Sequence, residues 1–189
     1  MSQLKIATRY AKSLIDLANE THQLDKVYQD ILLVQSACQN REFHQMLKSP
    51  VVTSDKKEKI FEALFGGKVT SLVQTFMVLL ASKGREPLLS SICQSFISQY
   101  KGIMKIRTAV LITPTVQSPE QLEYFRQKFK DWLKPGETME IVSRLDEKLI
   151  GGFIFQMDGR QVDSTAKRKL DSFRTNLYDS SYTNLVVKS

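Results

Sequence analysis

Thr108-Ala-Val-Leu-Ile-Thr-Pro114 is where the character of this chain changes. Six residues rich in β-branched and apolar side chains, closed by a proline that cannot extend a ladder, spell a strand. Everything before the stretch repeats at helical spacing, and everything after it mixes strands, turns and helices. The 189 residues therefore divide into an expected N-terminal six-helix bundle over 1–105 and a small α/β domain over 106–178, with 179–189 read as a flexible tail. The fold class is mainly α with a small α/β part that contains a mixed sheet and a hairpin.

Upstream, Leu4, Ala7, Ala11, Leu14 and Ala18 recur at three- and four-residue intervals, with Tyr10 and Leu17 beside them, as in an amphipathic helix. Leu24 to Cys38 repeats the pattern, and Phe43, Met46 and Leu47 form a short third helix that ends before Ser49-Pro50. A fourth helix is capped at Thr53 or Ser54, turns Ile60, Phe61, Leu64 and Phe65 inward, and stops at Gly66-Gly67. The fifth, about 69–82, buries Leu72, Val73, Phe76, Leu79 and Leu80. The sixth, about 87–104, uses Leu88, Leu89, Ile92, Cys93, Phe96, Ile97 and Tyr100.

Downstream, Ser118-Pro119-Glu120 opens a helix with Leu122, Phe125, Phe129, Trp132 and Leu133 on one side. Lys134-Pro135-Gly136 turns the chain into a strand at 138–144. A hairpin is expected from Leu149–Met157 and Arg160–Val162, joined at Asp158-Gly159, a pair suited to the tight two-residue turn. A last helix, about 164–178, opens at Asp163-Ser164 and buries Ala166, Leu170, Phe173 and Leu177.

Composition excludes whole classes of function. With 42% hydrophobic and 25% charged residues, the chain is neither disordered nor of low complexity. Its longest apolar runs, Phe76–Ala81 and Leu149–Phe155, fall far short of the roughly 20 residues a membrane-spanning helix needs. Two cysteines, Cys38 and Cys93, lie in apolar helical patterns without CxxC spacing, which points away from a disulfide framework or a zinc site and toward a reducing compartment. The first fifteen residues carry Lys5, Arg9 and Lys12 without an acid, as a targeting peptide would. Asp16 and Glu20 continue the same face, so the segment reads as mature structure. The net charge of +7 permits an acidic partner; residues 1–105 hold 14 basic and 9 acidic side chains, residues 106–189 hold 13 and 11.

No catalytic constellation emerges. Gly66-Gly67-Lys68 lacks the first glycine and the final hydroxyl of a phosphate loop. Ser54…Lys57 and Ser164…Lys167 match an acyl-serine spacing, but both serines stand at helix starts, where a capping hydroxyl accounts for them. His22 and His44 have no i+4 metal-ligand companion. Asp146, Glu147 or Asp163 could serve as an acid or base only through tertiary proximity to a partner group. The expectation is no enzyme, cofactor or metal. Aromatics on inward stripes and dispersed lysines give no nucleic-acid signature.

Ala7-Thr-Arg-Tyr-Ala-Lys-Ser-Leu-Ile-Asp-Leu-Ala18, Leu79-Leu-Ala-Ser-Lys-Gly-Arg85, and Leu145-Asp-Glu-Lys-Leu-Ile-Gly-Gly-Phe153 followed by Asp158-Gly-Arg-Gln-Val-Asp-Ser164 resemble, in order and spacing, the delta subunit of F-type ATP synthases, the oligomycin-sensitivity-conferring protein family. The resemblance covers nearly the whole chain. It implies a non-catalytic stator subunit of the peripheral stalk. The bundle would receive the N-terminal helix of an alpha subunit between the first and fifth helices, the C-terminal domain would meet the C-terminal ends of the b subunits, and contact with the membrane would be indirect. On that reading Tyr10, Leu14, Phe76, Leu79 and Lys83 are candidates for the alpha-helix groove. Ile6, Ile15, Met77 and Val78 make other faces of the same two helices apolar as well. Asp146, Gly151, Gly152, Gly159 and Asp163 form a structural hairpin motif, in which Gly151-Gly152 relieves crowding or bends the strand, or else admits a partner's backbone. A family helix that begins at Met1 points to a bacterial or unprocessed form at the cytoplasmic face of the cell membrane. The alternative is a basic helical adaptor or a nucleic-acid-binding protein.

Overall fold

A computed structural model describes residues 3–180, with side chains described over 4–175. The chain divides into two compact units, Met1–Ile103 and Met104–Ser189. The first contains α1 (Gln3–Glu20), α2 (Leu24–Cys38), α3 (Arg41–Lys48), α4 (Ser54–Phe65), α5 (Ser71–Ser82), a 3-10 turn (Glu86–Leu88) and α6 (Leu89–Ile103). The second contains β1 (Ile106–Thr113), α7 (Pro119–Lys128), a 3-10 turn (Lys130–Trp132), β2 (Thr138–Leu145), β3 (Ile154–Met157), β4 (Arg160–Asp163) and α8 (Ala166–Ser180). This is the helical bundle and small mixed α/β part that the sequence predicts.

In the helical unit, α6 packs against both α1 and α2, and α4 packs against α5. Ala7, Ala11 and Ala18 are fully buried, and their small side chains let α6 approach closely enough for Gln99 Nε2 to donate to the Thr8 carbonyl at 3.2 Å. Leu14 and Ile15 complete the buried face of α1, while Leu4 and Leu17 are exposed. Local capping builds α3, where the Asn40 side chain accepts from the N–H groups of Glu42 and Phe43. The cap of α5 is instead tertiary: Asp30 on α2 accepts the Thr70 N–H at 2.7 Å. At α4 the residue before the helix, Thr53, makes no side-chain capping bond, and Ser54 is already helical. The positive φ that closes α4 falls on Gly67. Leu64, expected inside, is exposed; Lys57 is buried in its stead. Its Nζ donates to the Leu47 carbonyl at 3.1 Å and to Glu86 Oε1 at 2.6 Å, which joins α3, α4 and the turn before α6.

The second unit is a four-stranded sheet in the order β2-β1-β3-β4. β1 and β2 are parallel, as a crossover through α7 requires, and β1–β3 and β3–β4 are antiparallel. Ala109, Leu111, Phe155 and Met157 cover one sheet face and pack on Phe125 and Phe129, with Leu122, Trp132 and Leu133 at the margin. Ser118 and Gln121 form a reciprocal capping box that starts α7.

Three expectations in this unit are corrected. The first hairpin strand begins at Ile154, not Leu149, because residues 149–153 fold back on the start of α8. The helix cap is Thr165, whose hydroxyl accepts the Arg168 N–H, rather than Ser164. Leu170 and Phe173, expected to be buried, are 64% and 65% exposed. Leu177, expected with them, has a side chain outside the described residues. Asp179 and Ser180 belong to α8, and the remainder of the expected tail lies outside the described residues.

Candidate binding cleft

On α1, Tyr10, Ser13, Leu14 and Leu17 stand at i, i+3, i+4 and i+7. On α5, Leu72, Thr75, Phe76 and Leu79 repeat the same interval. Each set forms one stripe along its helix. The two stripes line a common cleft of about 590 Å³, together with Thr21, Gln23 and Ser71. Tyr10 and Phe76 meet edge to face with ring centroids 6.5 Å apart, an arrangement in which the positive ring edge meets the negative face of its neighbour. The lining is mainly apolar, with Ser13, Thr75 and Ser71 among it; the Ser13 hydroxyl donates to the Arg9 carbonyl of its own helix. A surface of this kind accepts an apolar helical ridge by ordinary packing.

Two apolar faces coexist on each of these helices for a reason visible in the packing. On α1, Ala7, Ala11, Ile15 and Ala18 are buried; on α5, Val73, Met77, Leu80 and Ala81 are. The adjoining stripes, Leu17 on α1 and Leu72 and Leu79 on α5, are not, and Leu79 is 44% exposed. The cleft contains Tyr10, Leu14, Phe76 and Leu79 of the sequence candidates. Leu14 is also almost wholly buried, so it supports the cleft floor. Lys83 is the exposed residue that ends α5 and is not among the cleft-lining residues. Leu17, Leu72 and Thr75, outside the sequence candidates, line the cleft as well. Their signal lay in the sequence, since Leu17 is seven residues after Tyr10 and Leu72 four before Phe76.

The hairpin residues have internal uses. Asp146 donates its N–H to the Thr113 carbonyl and accepts the Lys148 N–H on its carboxylate, which ends β2 in an Asx turn. Gly152 has φ +86°, and a Cβ there would stand 2.2 Å from the Ser164 carbonyl oxygen; the glycine lets the chain's own backbone close on itself. The Gly151 carbonyl accepts the Ala166 N–H at 2.9 Å and so fixes the first turn of α8. Asp158 and Gly159 both have positive φ, the geometry of a type I′ turn. Asp163 accepts the Thr165 N–H, and this hydrogen bond is the main cause of its lowered pKa.

A polar recess of about 480 Å³ lies beside the hairpin, lined by Arg107, Trp132, Lys134, Glu137, Met157, Asp158 and Arg160. Arg107 donates from Nε and Nη2 to Glu137 Oε1 at 2.9 and 2.7 Å. That hydrogen bonding raises the arginine pKa and lowers that of the glutamate. The residues with catalytic spellings are accounted for structurally: Lys57 is in the buried pair, and Ser164 donates its N–H to the Phe153 carbonyl. His22 takes a positive φ of 52° in the exposed turn between α1 and α2. Among the described residues, no group of three or more His, Cys, Asp or Glu side chains is placed to hold a metal ion, and no helix is long and apolar enough to cross a membrane.

Residues 6–177 match the family model of the ATP synthase delta (OSCP) subunit. The chain is 36% identical over 176 residues to an ATP synthase subunit delta of Cytophaga hutchinsonii, covering 92% of this chain and 94% of that one. It is 29% identical over 161 residues to the subunit delta of Prochlorococcus marinus, covering 85% and 89%. It is also similar, at 26% identity over 171 residues, to a chloroplastic subunit delta of Ochrosphaera neapolitana, covering 90% and 95%. In fold, it is similar to a chain of the Toxoplasma gondii mitochondrial ATP synthase hexamer, with a TM-score of 0.67 and 21% identity over 91% of this chain and 97% of that chain.

Proposed function

The chain belongs to the ATP synthase delta (OSCP) subunit family, and from that premise we propose that it is the non-catalytic stator subunit that ties the catalytic head of an F-type proton-translocating ATP synthase to its peripheral stalk. In this role the α1–α5 cleft receives the N-terminal helix of an alpha subunit, and the α/β unit meets the C-terminal ends of the b subunits. The head is thereby prevented from turning with the rotor. The mechanism is two-ended binding, and no bond in a substrate need be made or broken. The protein would sit at the cytoplasmic face of a bacterial membrane, held there through its partners.

The observation that carries this reading is the cleft itself: two stripes at i, i+3, i+4 and i+7, with Leu79 and Leu17 left half-exposed beside the buried faces of the same helices. Burial of a Leu-sized side chain is worth roughly 1.5–3 kcal/mol, so two or three anchors of a partner helix would suffice for specific docking. Family membership does not favour the basic adaptor or nucleic-acid alternative.

Titration of the full chain with a labelled peptide of the alpha subunit's N-terminus tests the proposal. Saturable binding that is weakened at least about tenfold by Leu79→Asp is expected, because a buried unpaired carboxylate at the anchor site costs well over 1.4 kcal/mol. No binding by the unaltered chain would refute the assignment of the cleft.

A further inference from the structure

The two cysteines of the chain, far apart in sequence, meet in the helical unit. Cys38 is the last residue of α2 and Cys93 lies one turn into α6, and these two helices pack on one another. Cys93 is fully buried, Cys38 is 6% exposed, and both are free thiols. The thiols are hydrogen-bonded to each other, while Tyr28 and Tyr100 stack farther along the same helix pair. Buried cysteine alone would be an ordinary small apolar residue. Two sulfurs in contact across a helix interface can do more, because only a small inward shift separates them from a bond.

The two sulfurs are not equivalent. The Cys93 S–H donates to the Cys38 sulfur, and this hydrogen bond is the leading cause of a lowered Cys38 pKa; the same bond, and then burial, push the Cys93 thiol up. Cys38 is therefore the sulfur that reaches the thiolate, the nucleophilic form, with a protonated Cys93 beside it. Cys38 also stands where a small oxidant gains access, since α2 ends there and the exposed Gln39 and Asn40 follow. Terminal turns of helices open locally at little free-energy cost.

We propose that Cys38 and Cys93 form a reversible dithiol–disulfide site that hydroperoxides oxidise, a covalent clasp between α2 and α6. The Cys38 thiolate attacks hydrogen peroxide; an S–O bond forms, the O–O bond breaks, and the departing hydroxide leaves as water with the proton Cys38 gave up. The Cys93 sulfur then attacks the sulfenic sulfur of Cys38, so that the S–S bond forms, the S–O bond breaks, and the hydroxyl leaves with the Cys93 proton as a second water. The thiol pair loses two electrons and one peroxide becomes two waters. A reducing compartment keeps the dithiol as the resting form. Closure of the loop 38–93 encloses α3, α4 and α5 and so restricts the unfolded chain. Neither cysteine lines the α1–α5 cleft, and the clasp does not depend on the stator reading.

The test exposes the full chain, reduced and then freed of reductant, to hydrogen peroxide, alkylates it under denaturing conditions and maps its peptides by mass. Both free thiols are expected to disappear together, with the Cys38 and Cys93 peptides joined within one chain and released by dithiothreitol. The oxidised chain is expected to melt about 10 °C or more above the reduced one. Cys93→Ala halts the reaction at the first step, so Cys38 is captured as sulfenic acid by a cyclic 1,3-dione, whereas Cys38→Ala leaves Cys93 unmodified. If a variant does not fold, the peptide map of the unaltered chain decides alone. Thiols that stay free under peroxide that oxidises a cysteine-containing peptide overturn the proposal. So do disulfides formed only between chains, sulfinic acid at one cysteine with the other left free, or a linked chain that melts no higher than the reduced one.

Discussion

Lys57 Nζ and Glu86 Oε1 lie 2.6 Å apart with both side chains buried, an ion pair between residues 29 positions apart in the chain. The lysine also holds the last-turn carbonyl of α3 through Leu47, so one ammonium joins three elements of the helical unit. Removing one partner strands the other charge. Lys57→Met is therefore expected to cost about 3–5 kcal/mol of unfolding free energy, whereas Lys57→Met/Glu86→Leu costs far less. Urea unfolding of the three proteins checks this. Equal losses in the single and double variants would show that the pair is not what holds the joint.

The two glycines of the hairpin region should differ in sensitivity. Gly152 and Gly159 both have positive φ, but only at Gly152 would a new Cβ collide with backbone, at Ser164 and Thr165. Gly159→Ala is expected to cost about 1 kcal/mol from the left-handed conformation alone. Gly152→Ala must in addition move the loop off the start of α8 and should cost several times that. Thermal unfolding of both variants gives the comparison, and similar losses would contradict it.

Leu14 and Leu79 both line the cleft, yet their stabilities should separate. Leu14 is 2% exposed, and Leu14→Ala should cost about 2–5 kcal/mol as a core cavity. Leu79→Ala at a half-exposed site should stay within about 1 kcal/mol. Denaturant midpoints of the two variants read the difference. A large loss at Leu79 would mean that it belongs to the bundle core.

Tyr100 donates its hydroxyl to Asp25 Oδ1 at 2.8 Å and stacks on Tyr28 with ring centroids 3.9 Å apart. Burial, first, and then the Asp25 carboxylate push its pKa up to about 12. The unfolded phenol ionises near pH 10, so the folded state holds the proton more tightly. This contribution to stability is complete below pH 10 and is lost as pH rises from there toward about 12. Tyr100→Phe should remove that component, so wild type and variant converge in stability across this interval. A constant gap between them would contradict the assignment.

Glu137 behaves in the opposite sense. The hydrogen bond from Arg107 is the leading cause of its lowered pKa, with the Lys134 N–H next. A depressed carboxylate stabilises the fold above its unfolded pKa, and that stabilisation fades as pH falls through the folded value. Glu137→Gln should destabilise the α/β unit at neutral pH, and the gap should narrow once the pH falls below the unfolded carboxylate value of about 4.3. Thermal transitions of both proteins over a descending series of pH values measure it. A gap that did not shrink with acidification would locate the effect elsewhere.

The order of the elements was written locally in this chain. Helical spacing from Leu4 to Tyr100, the period change at Thr108–Thr113, the Ser118 capping box and the Asp158-Gly159 turn each depend on residues within a few positions of one another, so local rules suffice to read them. Tyr10, Leu14, Phe76 and Leu79 could be nominated for a groove because their spacing puts them on stripes. Only the tertiary structure decided which stripe met the core. α1 and α5 each carry two apolar faces, and in α1, which packs on α6 and α2, Ala7, Ala11 and Ile15 are buried while Leu17 stays open. The same dependence on distant neighbours explains Lys57, whose burial required Glu86 and the Leu47 carbonyl, and Gly152, whose need for glycine came from Ser164. Leu170 and Phe173 show the converse: periodicity predicted that they are apolar positions of one helix face, but among the described residues they stay largely exposed, because a period specifies that a helix has an apolar face and not what that face packs against.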